Sequence, residues 1–155
     1  MEIKDSLIYA VNSVLPIFQL RPQFRYATLE HFLTSGNQVN ILNSFSHTLQ
    51  GNIVFSFSKS QTFKIASTLK GRDVSVLNDE IKTAIGEITT LAVNVAMSRF
   101  KAIHSIAISP PIFISGENVL LMISRSQTTK LFFQINGESD MLSIAYCLEQ
   151  GIQAI

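Results

Sequence analysis

Residues 4–18 repeat apolar side chains at three- and four-residue spacing: Leu7, Val11, Val14, Leu15 and Phe18. That period predicts an amphipathic helix, which Pro16 kinks or ends because proline has no N–H to give the preceding turn. Between residues 39 and 58 the period changes to two. Ile53, Phe55 and Phe57 fall on one side of a strand with Ser56 and Ser58 opposite, and residues 39–46 form a poorer strand joined to it near Gly51 in a hairpin. Ser58 or Ser60 then caps a short helix carrying Phe63, Ile65, Ala66 and Leu69, which Gly71 stops. Asn78 or Asp79 caps a second helix that can run without proline to about Lys101. Residues 104–108, 112–115, 119–124, 128–135 and 140–149 read as strands, punctuated by Pro110-Pro111, Gly116-Glu117-Asn118 and Asn136-Gly137. Helices do not separate every pair of strands. The expected fold is therefore α+β, a largely antiparallel sheet with two or three helices layered on one face.

The long helix is the most legible element. At 100° per residue, with Glu87 at zero, Ile81, Ile85, Ile88, Ala92, Val95, Ala96 and Ile103 cluster between about 80° and 180°. Glu80, Thr83, Glu87, Thr90, Asn94, Ser98 and Lys101 lie within about 60° of zero on the opposite face. The apolar stripe is core. The polar stripe is either a solvated surface or a recognition surface carrying a carboxylate, a hydroxyl and an amide along one line, with Leu91 as its apolar interruption; spacing alone leaves both readings open.

Composition narrows the field. The chain has 155 residues, 46% of them apolar and 15% charged, which suits one core-forming domain spanning residues 1–155. Its twelve Lys and Arg are scattered, and the net charge is +1. No clustered positive footprint for a phosphate backbone results, so a nucleic-acid partner is not expected. Phe55, Phe57, Phe113, Phe132 and Phe133 lack basic neighbours and read as core rather than as stacking platforms for RNA. The start is polar and the longest apolar run, residues 119–123, is far below the ~18 residues of a membrane span. The expectation is a cytoplasmic protein with no membrane association. A single cysteine, Cys147, makes no internal disulfide and reads as a small core residue. His31, His47 and His104 are far apart and near no Cys pair, so no metal site is expected, and phosphate-loop, dinucleotide and Gly-x-Ser-x-Gly motifs are absent.

The stretch Ala84-Ile85-Gly86-Glu87-Ile88-Thr89-Thr90-Leu91-Ala92-Val93-Asn94 resembles the signature helix of the CheX/CheC class of chemotaxis phosphatases. In that class a Glu is followed three residues later by Asn, and usually by Gly four residues after that. Further blocks agree in order: residues 51–58 with the helix to Leu69, Ser109-Pro110-Pro111 with Gly116 after it, and residues 132–137 with the last strand. Each block is weak alone; their shared order makes a CheX/CheC-like fold the expectation.

The resemblance implies two-component signalling in chemotaxis, with a CheY-type response regulator as partner and its phospho-aspartate as substrate. An acyl phosphate is already activated, so the work is to hold a water in line with phosphorus and to stabilise the equatorial oxygens. By resemblance Glu87 docks the regulator through a charge-assisted bond to a lysine, and the Mg²⁺ is the regulator's, so the chain needs no cofactor of its own. Thr83, Leu91, Asn94 and Ser98 join Glu87 as partner-binding residues. The family's Asn position is Thr90 here and its Gly position is Asn94. A hydroxyl binds water but is shorter than an amide, and Asn94 lies about 10 Å from Glu87 along the axis. Two readings stay open: phospho-aspartate hydrolysis by a degenerate Glu87-x-x-Thr90 site, or a catalytically inactive regulator-binding or dimeric module on the same fold. A homodimer through a free sheet edge is expected by the same resemblance.

Overall fold

A computed structural model describes residues 2–31, 33–47, 49–100, 106–124 and 127–150. Its elements are α1 (Ile3–Val14), β1 (Pro22–Glu30), β2 (Leu33–Ser35), β3 (Val39–His47), β4 (Leu49–Phe57), α2 (Lys59–Lys70), α3 (Asp79–Phe100), β5 (Ile106–Ile108), β6 (Ile112–Ser115), β7 (Leu120–Met122), β8 (Thr128–Ile135) and β9 (Met141–Gln150). Seven strands form one antiparallel sheet in the order β1-β8-β9-β4-β3-β5, with β6 also on β3, while β2 and β7 pair as a separate ribbon. The expected α+β architecture is what forms.

Strand periodicity divides the sheet into two faces. Across it, Phe113, Ile41, Phe55, Ile144 and Leu131 stand in one register row. With Phe57, Phe133 and Leu142 of neighbouring rows they meet Leu7, Val11, Ile65, Ile81, Ile85 and Val93 from the three helices in one core. Burying each such aliphatic or aromatic side chain contributes about 1.5–3 kcal/mol, enough to hold three helices on this face. The opposite face carries a smaller cluster of Val54, Ala145 and Ile123, under the β2–β7 ribbon.

Local chemistry explains the helix limits. Beyond Val14 the chain tightens into a 3₁₀ turn, Leu15–Phe18, with Pro16 in its first positions, so Pro16 ends α1 as expected. Ser58 caps α2 in a reciprocal box: its hydroxyl accepts from the Gln61 N–H and the Gln61 side chain accepts from the Ser58 N–H. Gly71 closes the same helix in a left-handed conformation at φ 66°. Asn78 Oδ1 accepts from the Ile81 N–H and so caps α3.

Several expectations are corrected. β3 runs to His47 and β4 starts at Leu49, so Gly51 sits inside β4, opposite Phe45, and not at the junction of the two strands. Its glycine serves close approach instead of a turn, because a Cβ there would run into the Cys147 carbonyl of β9. Cys147 is half-buried on the face away from the helices, opposite Asn52, and is not a core residue. Phe132 is also on that face, half-buried and stacked on Tyr26 with ring centroids 4.7 Å apart. Residues 119–124 contribute only β7, which pairs with β2 and not with the main sheet. β1 and β2 have no counterpart in the pattern reading. The predicted helix positions Lys101 and Ile103, and His104 at the head of the next strand, lie outside the described residues.

Candidate functional site

α3 presents the polar stripe that its period predicts. Thr83, Glu87, Leu91, Asn94 and Ser98 are exposed, Leu91 at 46%, while Thr90 is half-buried at the margin. Ile81, Ile85, Ile88, Ala92 and Ala96 are buried on the other side. Glu87 takes part in none of the ion pairs among the described residues, so its carboxylate is available to a visiting cation. The Glu80 carboxylate, by contrast, is held by Lys70, whose hydrogen bond and charge push its pKa below the usual carboxylate range. Ser98 turns its hydroxyl back to the Val95 carbonyl at 2.8 Å, which leaves its oxygen only as an acceptor toward solvent.

The stripe borders a wall that sequence spacing does not reveal. β5 and β6 run along the same edge of β3, pairing with residues 45–47 and 39–42, and Ser109-Pro110-Pro111 bridges the gap between them. Two consecutive prolines cannot donate to a ladder, so the edge strand breaks there. Ser109 holds the break in place: its N–H donates to the Ser44 carbonyl at 2.8 Å and its hydroxyl accepts from the Ser44 N–H at 2.9 Å. Pro111 then packs on α3 at Gly86, where an added Cβ would stand 2.8 Å from the Pro111 Cγ. A cleft of about 360 Å³ opens at this junction, lined by Ile41, Lys82, Thr83, Gly86, Glu87, Pro111 and Phe113. The Lys82 ammonium lies over the Phe113 ring, 5.2 Å from its centroid.

Beneath Thr90, facing the gap in the edge strand, lies Asn43 of β3. It is fully buried on the helix-facing side of the sheet. Its Nδ2 donates to Thr90 Oγ1 at 3.4 Å and to the Ser109 carbonyl at 3.3 Å. Val39, Ile41 and Phe45 fill the same side of β3, so Asn43 is the polar break in an apolar row; that break is the sequence signal that could have singled it out. Gly86, a glycine inside a helix between two buried turns, is the corresponding signal for the Pro111 contact. No group of three His, Cys, Asp or Glu able to hold a metal occurs among the described residues.

Comparison with known proteins fits this geometry. The family model described as chemotaxis phosphatase CheX matches residues 39–136, more than half of the chain. The chain belongs to the CheX family. The match includes β3, α3 and the Ser109–Pro111 wall together. Among solved structures, the CheX-family fold superposes on chemotaxis protein CheX from Desulfovibrio desulfuricans with a TM-score of 0.83 at 18% identity, over 96% of this chain and 100% of that one. A CheC-like superfamily protein from Shewanella sp. PV-4 gives 0.74 at 18% identity, covering 95% and 94%. The CheX–CheY–BeF3–Mg²⁺ complex from Borrelia burgdorferi gives 0.70 at 15% identity, covering 96% of each chain. None of the curated proteins compared with the chain matches it. No described helix is long and apolar enough to cross a membrane.

Proposed function

We propose that this CheX-family chain docks a CheY-type response regulator on the exposed face of α3 and hydrolyses its phospho-aspartate. The observation that carries the reading is Glu87, an exposed carboxylate with no ion-pair partner among the described residues, one turn from the Thr90 hydroxyl and beside the Pro111 cleft. A carboxylate so placed accepts a charge-assisted bond from a lysine ammonium of the regulator, which fixes the two proteins in register. Leu91 supplies apolar contact, and Thr83, Asn94 and Ser98 extend the polar rim along the same face. Support for this partner also comes from the Borrelia burgdorferi complex, in which a CheX of the same fold is bound to CheY.

The chemistry asks little of the chain. The aspartyl phosphate breaks at its P–O bond when a water attacks in line, and the regulator's Mg²⁺ and own side chains carry the phosphoryl charge. The contribution here is a positioned hydroxyl at Thr90 that orients the water, with Glu87 holding the complex. A protein in the cytoplasm, where response regulators work, follows from the same reading. So does pairing of two copies through β1, an edge strand of nine residues that exposes Tyr26 and Leu29; sedimentation equilibrium giving a single-chain mass at micromolar concentration would remove that part.

The test is phosphate release from a phosphorylated CheY-type regulator, with the chain in excess. Release faster than spontaneous decay is expected, and Thr90→Asn, which restores an amide, is expected to raise the rate further. No acceleration by either chain ends the enzymatic reading and, if binding persists, leaves a docking module.

A further inference from the structure

We infer that Asn43 is a positioning residue for Thr90: a buried amide that fixes the direction of the Thr90 hydroxyl proton. The inference rests on the proposed hydrolytic reading and names a part of its machinery outside the signature helix. The orientation of the Asn43 amide follows from its second partner. The Ser109 carbonyl oxygen only accepts, so the atom facing it at 3.3 Å is the donor nitrogen, and the same nitrogen faces Thr90 Oγ1 at 3.4 Å. Thr90 therefore accepts from below, and its own hydrogen has no acceptor among the described residues. That hydrogen is left to point up, toward the half-open side of the residue where a water beside Glu87 would stand.

Two further observations separate this from ordinary packing. Asn43 is buried without exposed surface, in a row that is otherwise Val39, Ile41 and Phe45, where a polar side chain is tolerated only through the hydrogen bonds its amide makes. Its Oδ1 is buried and has no hydrogen-bond partner among the described residues, a costly condition in a core. The amide that the family motif places on α3 is thus present one layer lower, on β3, held against the position 90 side chain by the same Ser109 that anchors the proline wall.

The experiment is a double-mutant cycle on the full chain. Phosphate release from a phosphorylated CheY-type receiver domain is followed with the chain in excess, for wild type, Asn43→Ala, Thr90→Val and the double variant, alongside binding of the beryllofluoride–Mg²⁺ form of the receiver. Asn43→Ala is expected to slow release about fivefold to tenfold, the worth of one neutral hydrogen bond, with receiver affinity within about twofold of wild type. The double variant is expected to be no slower than Thr90→Val. Losses that multiply, or an Asn43→Ala chain at full rate, overturn the inference. Thr90→Val conserves volume at a half-buried site, so it supplies a second readout if Asn43→Ala does not fold: the Asn43 side-chain amide resonances of the wild-type chain are expected to shift in Thr90→Val. Unshifted resonances overturn the inference as well. A wild-type chain that fails to accelerate release defeats the hydrolytic reading instead, and the resonance shift still reports whether the amide holds Thr90.

Discussion

Gly86→Ala sets two effects of known size against each other. Alanine inside a helix is favoured over glycine by about 0.8–1.0 kcal/mol, so an exposed site would gain stability. At Gly86 the new methyl would stand 2.8 Å from Pro111 Cγ and 3.3 Å from Pro111 Cβ, closer than packed carbon atoms tolerate. The proline ring cannot rotate away as a flexible side chain does, and Ser109 ties its segment to Ser44 by two hydrogen bonds. Overpacking of this kind costs about 1–3 kcal/mol, which outweighs the propensity gain. The expected net loss is about 1 kcal/mol, or about 2–4 °C in the thermal midpoint for a chain of this size. Differential scanning calorimetry reads it. Because the clash has one partner, Pro111→Ala in the same chain is expected to return the midpoint to wild type or above. A Gly86→Ala chain more stable than wild type, in the presence of Pro111, would refute the packing of the proline wall on α3, and with it the cleft beside Glu87.

Other outcomes follow from single side chains. Ser58→Ala removes the hydroxyl that caps α2 and is expected to cost about 1 kcal/mol in chemical denaturation. Glu87→Gln changes an exposed side chain that makes no ion pair among the described residues, so its stability is expected within about 0.5 kcal/mol of wild type while receiver binding weakens. Burial lowers the pKa of Lys130, an effect Glu30 partly opposes. The native state therefore releases that proton at lower pH than the unfolded chain, and stability from this group rises between its lowered pKa and 10.5. Burial raises the pKa of Tyr146, so its contribution runs the other way and is lost as pH climbs above 10.0. Comparing wild type with Lys130→Met across alkaline pH isolates the lysine: the wild type is expected to gain relative to the variant, and a constant difference would contradict the burial argument.

Elements whose period is clean, such as α3 with its opposite apolar and polar faces and β4 with its alternation, are legible because one side of each meets the core and the other does not. Caps at Ser58, Asn78 and Gly71 are legible because each residue type has a local reason to end a helix. β1 is not, since a register shift between Phe24 and Tyr26 sets Phe24 opposite Phe133 but Tyr26 opposite Phe132, so no single alternating row runs the length of the strand. Gly51 misleads for a different reason: a glycine needed for contact with a distant strand looks the same in sequence as one needed for a turn. The candidate site divides along the same line. Glu87 and Thr90 are on one helix and are found by spacing, whereas Asn43, Ser109 and Pro111 reach them only through strand pairing across tens of residues.

Isothermal titration of the chain with a CheY-type receiver domain carrying beryllofluoride and Mg²⁺ bears most directly on the role of the α3 face. Saturable binding is predicted for the wild-type chain, weakened at least tenfold by Glu87→Ala and left unchanged by Glu138→Ala, an exposed acid paired with Lys64 away from α3. Equal affinity for the wild type and Glu87→Ala would contradict it.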